Sequence, residues 1–202
     1  MRAVPISAAL IFVSALAIQS ALAASVSVQV TNAAGQPLAD AAVYAEPLSG
    51  QAVPKPNKML EIEQKGRKFL PLVSVVQAGT DISFPNNDTV RHHVYSLSPT
   101  KVFELKLYSG TPGKPVNFEK PGTVVLGCNI HDTMVAYIHI VNTPWFAKTD
   151  AAGRAKLEGL PPGKYQLKAW HFNLPLGAQA AEQPLSLAAD DGSASFRLNT
   201  KN

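Results

Sequence analysis

Cysteine is almost absent from this 202-residue chain: Cys128 stands alone, so no internal disulfide can form. That leaves Cys128 as a buried small hydrophobe, an intermolecular bridge or a ligand. Charge is also scarce, at 16% of residues, and no run of one sign occurs. Lys55, Lys58, Lys65 and Lys68 are scattered among apolar and acidic residues, which describes a solvated face and excludes the basic stripe of a nucleic-acid binder. No apolar run reaches the ~20 residues of a membrane-spanning helix. Beyond the first two dozen residues no window keeps a 3.6-residue period over three turns, although Leu60 to Arg67 would fit one short helix. No Ser-His-Asp arrangement, phosphate-binding glycine loop or carboxylate pair stands out, and the chain reads as a protein that is not an enzyme.

The N-terminus carries an address. Met1-Arg2 is a short positive start, Ala8 to Ile18 is apolar, and Ala21-Leu22-Ala23 supplies the small residues read by a signal peptidase. Residues 1–23 are therefore expected to be a secretory signal peptide, with a periplasmic mature protein and no membrane span after cleavage. Arg2 is the only charged residue in that segment, so cleavage lowers the formal net charge from +4 to +3. A lone thiol in an oxidising compartment calls for a protector, and metal ligation of Cys128 would be one.

What remains is rich in short Val, Ile, Phe and Tyr runs. Turn signals separate them, such as Gln77-Ala78-Gly79-Thr80 and Leu160-Pro161-Pro162-Gly163. Strands are expected at 26–30, 42–45, 72–76, 81–84, 92–97, 116–118, 122–128, 136–141, 155–157, 164–171 and 194–198, giving an all-β protein of sandwich type. The proline-rich stretch Val53-Pro54-Lys55-Pro56-Asn57 and the tripeptide Asn142-Thr143-Pro144 mark two seams. The outer pieces, 24–57 and 143–202, share a strand-turn-strand pattern that resembles a carboxypeptidase-regulatory or transthyretin-like sandwich, here split around a unit at 58–142. That resemblance implies a scaffold without chemistry of its own. A linear three-part chain is the alternative.

The chemistry lies in the middle unit. Cys128-Asn129-Ile130-His131-Asp132-Thr133-Met134 puts a thiolate, an imidazole and a thioether on one loop between two expected strands. Upstream, Phe84-Pro85-Asn86-Asn87-Asp88-Thr89-Val90-Arg91-His92-His93 offers a further imidazole. Two imidazoles and a thiolate with a weak thioether suit copper in both oxidation states, whereas methionine is a poor ligand for zinc. Because successive strand side chains point to opposite faces, only one of His92 and His93 can readily face Cys128. His139, between Ile138 and Ile140, and His171, after Trp170, read as packing residues.

The pattern Cys-x2-His-x2-Met before a last strand, with a histidine behind Phe-x-Asn-Asn, resembles the cupredoxins, and the short loop is most like that of the amicyanins. The likeness runs over residues 69–142. It implies a Greek-key sandwich holding one mononuclear copper, with His92, Cys128 and His131 as equatorial ligands and Met134 as the axial one. It also makes His92 the ligand and puts His93 where an asparagine usually pins the cysteine loop. Proteins joining such a domain to a split transthyretin-like sandwich are often labelled methylamine utilisation proteins.

The function expected is one-electron transfer between redox protein partners, with His131 as the route out and Ile130 in a small apolar docking patch. A copper carrier or reservoir is the alternative, weakened because Met59 and Met134 are the only methionines after residue 23. A metal-free interaction sandwich is a third possibility. The intact ligand set argues against it.

Overall fold

A computed structural model describes residues 24–48, 53–56, 58–175, 177–188 and 190–201. The expected signal peptide, residues 1–23, lies outside them. Among the described residues every regular element is a strand, so the protein is all-β. No helix among them is long and apolar enough to cross a membrane.

Alternation builds the strands, and the strands build two separate cores. In Ala24–Asn32 the side chains of Val26, Val28 and Val30 turn inward, as the period of two requires. This strand lies between Arg154–Leu160, antiparallel, and Gly192–Leu198, parallel. A second sheet runs Phe146–Lys148, Ala42–Pro47, Gly163–Trp170, Ala181–Leu187. Both sheets contribute to one apolar core that includes Val43, Leu157, Tyr165, Leu167 and Phe196. Strands from either side of residues 60–141 thus pair with each other.

Residues 60–141 form the second core. Gly122–Leu126, Ala136–Val141 and Val73–Gln77 make one sheet, Val116–Phe118, Thr80–Ser83 and Leu60–Glu61 another, and His92–Ser96 pairs with Phe103–Tyr108. Ile62, Ile82, Phe84, Val94, Phe118, Leu126 and Ile138 fill the interior, with Phe84, Phe103 and Phe118 in ring contact. A buried side chain of this size contributes about 1.5–3 kcal/mol relative to exposure.

The short helix expected at Leu60 to Arg67 is not there. Leu60–Glu61 and Glu63–Gln64 are strands, because Ile62 and Gln64 are buried while Glu61 and Lys65 face water, a period of two and not 3.6. Four further strands form where the sequence pattern predicts none: Phe69–Leu70, Phe103–Tyr108, Phe146–Lys148 and Ala181–Leu187.

The strand Ala136–Val141 is covered on both faces. Ala136, Ile138 and Ile140 enter the inner core. Tyr137 and His139 point the other way, where His139 stacks on Trp170 at 4.4 Å and Tyr137 on Phe172 at 5.0 Å. With Ala42 and Val73, these aromatics seal the seam between the two cores.

Candidate metal centre

The strand Gly122–Leu126 delivers Gly127 and Cys128 to one end of the inner core. Gly127 is tied to Tyr95 by reciprocal backbone hydrogen bonds of 3.0 and 2.9 Å, which fixes Cys128 beside the strand that starts at His92. The chain then turns back, the Met134 amide donating to the His131 carbonyl at 2.9 Å, and re-enters the sheet at Ala136. The ring of Tyr95 packs so close to Gly127 that a Cβ there would lie 2.7 Å from it, so glycine is favoured by this contact and not by backbone conformation.

Four residues meet at this end with unequal exposure. His92 is fully buried, Cys128 is 4% and Met134 1% exposed, and His131 is half-buried. One donor atom from each of His92, Cys128 and His131 lies within 4.8 Å of the others. His92 Nδ1 is 3.9 Å from Cys128 Sγ, and the two imidazoles meet edge to face at 5.1 Å. Met134 shares the core cluster of Cys128.

The arrangement can be tested against a metal ion. Three donors each ~2.0–2.3 Å from one ion in a trigonal plane lie about 3.5–4 Å apart, so the observed spacing needs little adjustment. His131 Nδ1 is buried and has no hydrogen-bond partner, an expensive state for an imidazole nitrogen unless it is a ligand. The donor set is thiolate and imidazole, which selects a transition ion over magnesium or calcium. The residues fit copper.

Comparison with known proteins adds likeness at the level of shape. No family model matches the chain, and no curated protein matches it. Its neighbours among solved structures are cupredoxins. A purple cupredoxin from Nitrosopumilus maritimus is 21% identical, with a TM-score of 0.37, over 41% of this chain and 99% of that one. An oxidised amicyanin variant is 16% identical, with a TM-score of 0.37, over 41% of this chain and 82% of that one. A Cu-containing nitrite reductase from Thermus scotoductus SA-01 is 22% identical, with a TM-score of 0.40, over 48% of this chain but only 25% of that enzyme. Likeness this distant assigns no role to any residue. Roles have to come from the geometry of the site itself.

That geometry separates the five histidines. His93 turns to the face opposite His92, where its Nε2 lies 2.9 Å from Glu104 Oε1, off hydrogen-bond geometry, with its ring against Tyr95. His139 lies at the seam. Its Nδ1 is 3.0 Å from Thr123 Oγ1, its Nε2 has no partner, and burial lowers its pKa to about 4. His171 bridges Ala39 O and the Asn173 amide, and burial lowers its pKa. None of these three joins the donor group.

One polar residue at the site was not singled out by the sequence. Asp88 Oδ2 lies 3.0 Å from His92 Nε2, the nitrogen pointing away from Cys128. The amide of Arg67 donates to the same oxygen at 2.7 Å, and this bond, followed by that from His92, holds the Asp88 carboxyl down at about 2. Next to it, Asn86 donates to the carbonyls of Val90 and Tyr108, and the Tyr108 hydroxyl donates to Phe84 O at 2.6 Å. Burial pushes Tyr108 up to about 12. The only sequence signal for Asp88 is a carboxylate four positions before a candidate ligand.

Proposed function

We propose that this chain is an exported mononuclear copper protein that passes single electrons between redox proteins, with His92, Cys128, His131 and Met134 holding the ion. The observation that carries the reading is the meeting of a buried thiol with two imidazoles, one of which has an unpartnered buried nitrogen. Copper, when bound by such donors, supplies a one-electron couple.

The residues of the chain do the rest. The Tyr95–Gly127 ladder and the His131–Met134 turn hold the donors in place, so little nuclear motion accompanies a change of charge. Cys128 is buried in the same water-excluding core as Leu126, Ala136 and Ile138. The half-buried His131 is the natural route for the electron, and Ile130, 53% exposed beside it, offers an apolar surface to a partner. The role is transfer and not catalysis. The outer strands, 24–57 and 143–202, act as a scaffold around a copper unit at 58–142, in the manner of a split transthyretin-like sandwich. Export to the periplasm rests on residues 1–23, and by resemblance the setting is methylamine utilisation.

The deciding experiment compares visible absorption and electron paramagnetic resonance of the Cu(II)-loaded protein with Cys128→Ser. The expected result is an intense sulfur-to-copper band with narrow hyperfine splitting, lost in the variant. A weak spectrum indifferent to the variant would remove Cys128 from the site and end the electron-transfer reading. Ready surrender of the ion to a chelator would favour a carrier.

A further inference from the structure

The two imidazoles of the candidate centre are held very differently. His131 sits on an exposed loop between Ile130 and Asp132, and its buried Nδ1 meets no protein partner. His92 is fully buried, and its far nitrogen ends on a carboxylate. That carboxylate is itself fixed. Asp88 Oδ2 accepts from Arg67 at 2.7 Å, Oδ1 accepts from the Thr89 amide at 3.0 Å, and the Asp88 amide donates to Asn86 Oδ1 at 3.0 Å.

The Arg67 contact is informative because of where it comes from. Arg67 lies in the turn closed by the Lys65 and Lys68 backbone, twenty-one residues before Asp88, and it holds φ at 57°. A left-handed backbone is disfavoured for an arginine, and here it aims the amide at the carboxylate. The Asp88 amide bond and this turn together hold the side chain beside His92. Its side chain is only 12% exposed, so water does not readily replace the contact.

We infer that Asp88 is the positioning residue for His92. By accepting the Nε2 hydrogen it selects the tautomer whose Nδ1 lone pair faces Cys128 Sγ, 3.9 Å away, and by placing a negative charge behind the ring it makes His92 the stronger donor of the two imidazoles. The inference rests on the copper reading of the site. It adds that the loop 86–92 and the turn 65–68 form an anchor on the buried side, so the higher oxidation state of the ion is favoured from that side.

The test uses the copper-loaded protein, Asp88→Asn and Asp88→Glu. Loss of the charge is expected to lower the preference for Cu(II) over Cu(I) about tenfold, a rise of about 59 mV in potential for one electron. Asp88→Glu should recover part of it, which a merely structural residue would not show. The Cu(I) form should also display a slowly exchanging His92 Nε2–H by nitrogen-15 nuclear magnetic resonance, and Asp88→Asn should speed its exchange. A normal sulfur-to-copper band with an unchanged potential in Asp88→Asn would overturn the inference and leave the copper reading standing. If the wild type shows no such band, the copper reading fails, and the His92 tautomer of the metal-free protein still decides the positioning role. A proton found on Nδ1 there would overturn it without any variant.

Discussion

The outer and inner cores are built from the same alternating strands, yet their buried polar atoms differ. In the outer core the two polar aromatics are satisfied: Trp145 Nε1 donates to Gly159 O at 2.9 Å and the Tyr165 hydroxyl to Pro161 O at 2.6 Å. The end of the inner core instead gathers Cys128, Met134 and His92 beside an unpartnered nitrogen of His131. Leaving such an atom unpaired costs about 1–3 kcal/mol. The outer core is organised for stability. The inner one leaves buried polar atoms unpaired.

The sharpest way to break this contrast is to delete one buried side chain from each core of the metal-free protein. Leu167→Ala, at a fully buried outer position, should cost about 2–5 kcal/mol in urea melts and leave the copper spectrum of the folded protein intact. Cys128→Ala removes a single sulfur atom and should cost about 1 kcal/mol, while abolishing the visible band and the stabilisation gained on adding copper. Equal destabilisation by both would make Cys128 a core residue first.

The same contrast explains what could be read in the sequence. Where one strand face is wholly buried, as at Val26, Val28 and Val30 or Ala136, Ile138 and Ile140, the alternation is plain. Phe103–Tyr108 alternates as well, but only half-buries its apolar side, and its Leu107 is 49% exposed, so the signal is dilute. Ala181–Leu187 contains Pro184, which argues against a strand unless it lies at a sheet edge. It does lie at an edge, beside Gly163–Trp170 alone. Cys128 and His131 were legible as candidate donors because they share one short loop, whereas His92, far upstream in the chain, was chosen over His93 only through the family resemblance. Asp88 was not legible, since its role depends on the 65–68 turn folding back beneath it.

His139 tests the seam where the two cores meet. Its folded pKa of about 4 lies below the unfolded value near 6.5, so between these pH values the unfolded chain binds more protons. Stability should therefore be full above pH ~6.5 and fall as pH drops towards 4, by up to about 3 kcal/mol from this group. His139→Phe keeps a ring against Trp170 and removes the titration. Urea melts at pH 4.5 and 7 should show a clearly smaller pH effect in the variant than in the wild type. Equal pH effects would mean that the seam tolerates a charged imidazole.

Two glycines divide along the same line. Gly153 holds φ at 71°, and a Cβ there would press on the Val30 carbonyl and lie 3.0 Å from the Leu38 amide. Neither backbone atom can yield, so Gly153→Ala should cost roughly 1–3 kcal/mol with an unchanged copper spectrum. At Gly127 the obstacle is the Tyr95 ring, which can move. Gly127→Ala should cost less in melting but displace the backbone next to Cys128 and alter the visible band. If instead the Gly153 variant changed the spectrum, the two cores would be mechanically coupled.

Met134→Leu gives the smallest change in stability and the finest division between packing and ligation. Met134 is 1% exposed among Leu126, Ala136 and their neighbours, so volume alone would account for it. Leucine nearly conserves that volume and should cost under ~1.5 kcal/mol in the metal-free protein. It offers no lone pair, however, and an axial thioether helps to set the potential of a copper held by two imidazoles and a thiolate. A shifted potential and a changed visible band, with melting almost unaltered, would assign the sulfur to the ion. Spectrum and potential identical to wild type would return Met134 to the core, leaving His92, Cys128 and His131 as the whole donor set.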